Sequence, residues 1–120
     1  MLKDKGALLT LNGIDYHLRI TVNVIEDAEE QFGMDINKII KTFIKDYDTA
    51  SINYSNLCKF VLLLVNESVE IQNEEGASLK PLTLKQLKRY VDNSNVAEVF
   101  TKTLEAFNLS FMNSDDKRPS

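Results

Sequence analysis

The sequence predicts a mainly α domain of the α+β kind: an N-terminal β-hairpin packed on a bundle of about five helices around a central apolar helix. Three observations predict it. The stretch Tyr54 to Ile71, YSNLCKFVLLLVNESVEI, is apolar on every side through Phe60-Val61-Leu62-Leu63-Leu64-Val65, the pattern of a buried helix. Asn12-Gly13 stands between two apolar runs, the strongest two-residue signal for a type I′ hairpin turn. The remaining segments carry apolar residues at helical spacing on one face and charges on the other. With 120 residues, 43% hydrophobic and 27% charged, the chain suits one globular core. The expected domain is residues 1–112, with the hairpin at 7–20 and a flexible tail at 113–120.

The hairpin runs Ala7 to Leu11, turns at Asn12-Gly13, and returns over Ile14 to Ile20. Ile14, Tyr16, Leu18 and Ile20 alternate with Asp15, His17 and Arg19, which puts one face on the core. Thr21 or Asn23 begins the first helix, and Asn23 with Glu26 has capping-box spacing. Val24, Ile25, Ala28 and Phe32 form its inner stripe, and Gly33 ends it. Asp35 caps the second helix, whose inner face reads Ile36, Ile39, Ile40, Phe43, Ile44 and Tyr47 against Lys38, Lys41 and Lys45 outside. Ser51 or Ser55 is the expected cap of the central helix. The run Asn73 to Ser78 and Pro81 breaks the chain. Thr83 and Gln86 then form a capping box before Leu84, Leu87 and Val91. Asn95, with Glu98 at the capping-box position, starts a last helix with Val96, Val99, Phe100, Thr103, Leu104 and Phe107 on one face. That pattern fades after Asn108.

Charge and composition narrow the function. The net charge of −4 and pI near 5.0 disfavour a nucleic-acid partner, which needs clustered Lys and Arg to neutralise phosphates. Lys85, Lys88 and Arg89 on the segment Thr83 to Asp92 are the densest basic group and give a faint helix-turn-helix look; a solvated helix face explains them more simply. The apolar run of the central helix is shorter than the roughly 20 residues that a membrane span needs, so no membrane partner is expected. The opening residues carry Lys3, Asp4 and Lys5 without a long apolar core, unlike a signal peptide, which places the chain in a reducing cytoplasm.

The chemistry-bearing residues make no constellation. Cys58 is the sole cysteine, which excludes an internal disulfide and a cysteine-based zinc site; its place on the apolar helix reads as packing. His17 is the sole histidine. Glu29-Glu30 and Glu74-Glu75 are neighbours that a helix points in different directions, poor geometry for acid/base work. The glycines are isolated turn residues rather than a phosphate loop. The expectation is therefore no enzyme, no catalytic residues, no cofactor and no metal. Beyond the last clear helix, Leu109, Phe111 and Met112 are large apolar residues near a polar end; they either fold back on the domain or contact a partner, and they are the candidate partner-binding residues.

The order of elements carries a resemblance. The strand Gly13, Tyr16, Leu18, Arg19 leads into a helix with Glu29 or Glu30, Phe32, Gly33 and Asp35, and the closing helix has Ala106, Phe107 and Ser110. This resembles the tail assembly chaperones of long-tailed bacteriophages and prophages of Gram-positive bacteria, over roughly residues 13 to 110. The leucine usual before the paired acids is replaced by Asp27-Ala28, and the leading Met1 to Lys5 and the loop Glu74 to Pro81 are longer than in a typical member. The motifs are structural, a turn, a strand and a helix stop. The resemblance implies a protein of the host cytoplasm that binds the tape-measure protein and keeps it soluble until the tail tube forms, without staying in the virion. The tail-tube protein is an alternative main client, and a homo-oligomer is open. It also implies a longer frameshifted form, which would begin near Asn113. A small phage regulatory or adaptor module that binds another protein is the competing reading.

Overall fold

Asn12 and Gly13 both take positive φ, 51° and 78°, the backbone that a two-residue I′ turn requires. That turn sets β1 (Ala7–Leu11) antiparallel to β2 (Ile14–Leu18) with Leu11 opposite Ile14 and Ala7 opposite Leu18. Side chains alternate from this register, so Ala7, Leu9, Leu11, Tyr16 and Leu18 are buried together while Leu8 and Thr10 stand outside. The computed structural model describes residues 6–116, with side chains described to residue 110. The expected hairpin extension to Ile20 is not strand: Ala7, the first residue of β1, pairs with Leu18. Gly6 approaches that point so closely that a Cβ on it would lie 2.2 Å from the Leu18 carbonyl oxygen.

Five helices follow: α1 (Val22–Phe32), α2 (Ile36–Asp48), α3 (Tyr54–Glu74), α4 (Leu84–Tyr90) and α5 (Val96–Asp116). This is the expected α+β architecture. α3 is central, touching β2, α1 and α4, and α5 lies against the hairpin, chiefly β1. Its residues Phe60, Val61, Leu64 and Val65 are wholly buried, while Leu62 and Leu63 are half-buried on its flank. Phe60 meets Phe32 of α1 and Phe43 of α2 with centroids 6.3 and 5.6 Å apart, a three-ring cluster that fixes α1 and α2 on the middle of α3.

Several caps match expectation. Gly33 ends α1 in a left-handed conformation, Asp35 accepts from the Lys38 N–H, and Thr83 with Gln86 forms a complete capping box. Of the two expected starts of α1, Thr21 is the cap, accepting from Val24 N while its hydroxyl donates to Glu67 on α3 at 2.7 Å. Others differ. Asn53, not Ser51 or Ser55, caps α3. The Asn95 side chain turns backwards: its amide donates to the Tyr90 carbonyl and its oxygen accepts from Asp92 N, holding the α4–α5 turn. α5 runs on through Asn113 to Asp116, beyond the fading of its apolar pattern, because no glycine or proline interrupts it. The start of the expected tail thus lies in helix; residues 117–120, like Met1 to Lys5, lie outside the described residues.

Two asparagines hold the break after α3. Asn73 exchanges two hydrogen bonds with the backbone of Leu79, at 2.8 and 3.0 Å. Asn66, two turns earlier, does the same with Leu82, also at 2.8 and 3.0 Å. Each carboxamide serves as a peptide group would in a ladder, so the connection lies extended along α3.

Candidate functional site

The chemistry-bearing side chains are dispersed by the fold. Cys58 is buried on α3, and burial pushes its thiol up, against a smaller lowering pull from Lys88. His17 is half-buried in β2. Glu29 accepts from the Ile36 N–H at 2.9 Å and so ties the end of α1 to the start of α2; Glu30 points to solvent. Glu74 and Glu75 are both exposed at the end of α3. Asp92 is held below the usual carboxylate range by hydrogen bonds from the Ser94 side chain and backbone, which form an Asx turn. Among the described residues no cluster of His, Cys, Asp and Glu could hold a metal ion. No helix of the described residues is long and apolar enough to cross a membrane. The basic residues Lys85, Lys88 and Arg89 are exposed on α4, a helix of seven residues.

The turn, strand and helix-stop residues singled out in the sequence build the frame. Gly13 makes the hairpin turn, and Tyr16 and Leu18 are buried beneath it. Between the two acids, Glu29 is the one that works, and Phe32, Gly33 and Asp35 form the α1–α2 corner. Ala106 is buried, and Ser110 Oγ donates to the Ala106 carbonyl while accepting from Ile20 N at 3.2 Å, pinning the chain after β2 to α5. Arg19 is half-buried with its Nε unpaired, its Cγ lying over Gly6. These positions serve the packing of the domain.

Of the candidate partner-binding residues, Leu109 is half-buried and packs on the core. The side chains of Phe111 and Met112 lie outside the described residues; their backbone is in α5. An exposed apolar grouping with a shaped cleft lies where α2 passes into α3. Ile44 and Tyr47, expected on the inner stripe of α2, are 37% exposed each, and Tyr54 at the start of α3 is 38% exposed. Tyr47, Ala50, Ile52 and Tyr54 line an open cleft of about 440 Å³. Tyr47 stacks on Phe100 of α5, with centroids 4.3 Å apart and planes 7° from parallel, and Tyr54 Oη donates to Asn93 Oδ1 at 2.6 Å. Both rings are therefore fixed before anything binds. Ala50 sits at φ 57°, a left-handed conformation rare for alanine. Helical periodicity hid this site, since the α2 stripe continues past the point where α3 covers it; two tyrosines bracketing one short loop were the available signal.

Set against protein-family models, curated proteins and solved structures, the chain matches none of them.

Proposed function

We propose that the chain is a tail assembly chaperone of a long-tailed bacteriophage or prophage. It binds the tape-measure protein in the host cytoplasm, keeps it soluble while the tail tube forms, and leaves before the virion is complete; tail-tube subunits are a second client. The observation that carries a binding role is the preformed cleft of mixed polarity lined by Tyr47, Ala50, Ile52 and Tyr54, with Ile44 exposed one helical turn before Tyr47. Exposed apolar surface of this kind serves protein contacts, and aromatic rings already immobilised lose little entropy when a partner arrives. An unassembled tape measure is long and helical with an apolar seam, and such a seam aggregates unless covered. An amphipathic helix docked on the cleft covers it by groove binding. The chain is not proposed to be an enzyme, and no cofactor or nucleic acid enters the reading.

The test is a pull-down of the tagged chain from cells with an induced prophage, read by mass spectrometry, beside an Ile44→Asp variant. Recovery of one very long helical tail protein by the wild type, reduced about tenfold or more by Ile44→Asp with the circular dichroism spectrum unchanged, supports the reading. Recovery of a repressor or other regulator instead replaces it with the adaptor reading. Equal recovery by the variant moves the contact away from this cleft.

A further inference from the structure

We propose that the outer edge of β1 is a self-association site, through which two copies of the chain pair antiparallel and join their hairpins into one four-stranded sheet. The two edges of the hairpin are treated differently. On β2, the His17 N–H donates to Ser68 Oγ at 2.9 Å and to Gln72 Oε1 at 3.0 Å, and the Gln72 amide reaches the Asp15 carbonyl at 3.4 Å. That edge is closed by α3. Because His17 N–H points away from β1, His17 and its partner Leu8 are a non-hydrogen-bonded pair, and so are Asp15 and Thr10. The main-chain groups of Leu8 and Thr10 therefore point away from β2 as well. Among the described residues no hydrogen bond reaches them, and both residues are exposed, Leu8 by 43%.

α5 packs chiefly on β1 yet leaves Leu8 and Thr10 exposed, and an edge not covered by a helix is normally blunted by a lysine, a proline or a bulge. Here Ala7–Leu11 reads ALLTL, with none of these. The strip is also neutral in a chain of net charge −4, so two identical molecules meet there with little repulsion. The nearest strand charges, Asp15, His17 and Arg19, lie on β2 and its continuation. Across a joined sheet they stand three strand spacings from their copies, about 14 Å, beyond the screening length of about 10 Å at 0.1 M salt. The register is self-complementary. A two-fold axis through Leu9 sets Leu8 of each copy opposite Thr10 of the other, so both outward pairs exchange hydrogen bonds. Leu8 then packs across the seam on the outer face.

The experiment is sedimentation equilibrium of the full chain over a wide concentration range, with hydrogen exchange of the Leu8 and Thr10 amides. The wild type is expected to reach twice the chain mass, with both amides protected only where it does. Leu8→Lys puts a charge on the seam, and Thr10→Pro removes one outward donor; each should weaken association about tenfold or more with the helical spectrum intact. Thr10→Val keeps the donor while losing the hydroxyl bond to Asp15, and should still associate. A wild type that stays monomeric overturns the proposal. So does a dimer whose Leu8 and Thr10 amides exchange freely, or protection of those amides that appears only with a different protein added.

Discussion

Two residues with positive φ show how the same backbone region gives opposite predictions. Ala50 follows α2 in the left-handed position of a Schellman motif: Ser51 N–H donates to the Asp46 carbonyl at 2.8 Å and Ala50 N–H to the Tyr47 carbonyl at 3.1 Å. Glycine is the usual occupant, and alanine there is strained by about 1 kcal/mol. Ala50→Gly should therefore raise stability by roughly 0.5–1 kcal/mol in urea unfolding, less whatever its methyl contributes to the cleft. Gly6, at φ 82°, has no such latitude, since a Cβ there meets backbone rather than a movable side chain. Gly6→Ala should lower stability by more than about 2 kcal/mol in the same assay. Residue-scale features of this kind were legible where the geometry is local. The Asn12-Gly13 turn, the Asp35 cap and the Thr83–Gln86 box each depend on residues three or fewer positions apart. Where a distant group competes, local spacing fails: Glu67 draws the Thr21 hydroxyl into place, and the Tyr90 carbonyl draws the Asn95 amide away from α5.

At the scale of elements, the helices and the hairpin were all legible because their periodicities are long and uninterrupted, and because a helix apolar all round has nowhere to go but the centre. The ends were not. α2 carries its stripe past its cover, which is why Ile44 and Tyr47 read as core and stand half-exposed instead. α5 does the reverse, remaining helical after its stripe gives out. Polar side chains on α3 were also silent in the sequence. Ser68 and Gln72 satisfy a strand edge, and Asn66 and Asn73 hold an extended segment, yet nothing in their spacing distinguishes them from solvated residues. Asn66→Ala should cost about 1–3 kcal/mol, since it strands part-buried main-chain groups of Leu82. Asn73→Ala, at an exposed site, should cost less. Because both side chains grip one segment, the double variant should fall short of the sum of the two, a coupling that a double-mutant cycle measures.

For the whole molecule, pH links burial to stability. Tyr16 and Cys58 both have their ionisation pushed up by burial, with the charge of Tyr90 adding to the first. A raised value means that the folded chain resists ionising while the unfolded chain does not. The stabilisation is complete below the ordinary values, 9.0 for the thiol and 10.0 for the phenol, and is lost as pH rises through the higher folded-state values. Thermal unfolding should therefore show a midpoint that falls steadily above pH 9 to 10, and Cys58→Ala should remove the earlier part of that fall. The connection between α3 and α4 has a different consequence, for the lengths that related chains could take. Seven helical residues from Asn66 to Asn73 advance about 10.5 Å, and three extended residues from Leu79 to Leu82 cover about 10 Å. The two carboxamides thus act as a ruler with matched marks. One residue inserted or deleted between those marks puts helix and segment out of step, whereas the exposed chain after the Gly76–Ala77 cap of α3, at Ser78, can lengthen or shorten. Drift in chain length should accumulate on one side of Leu79 and stop there.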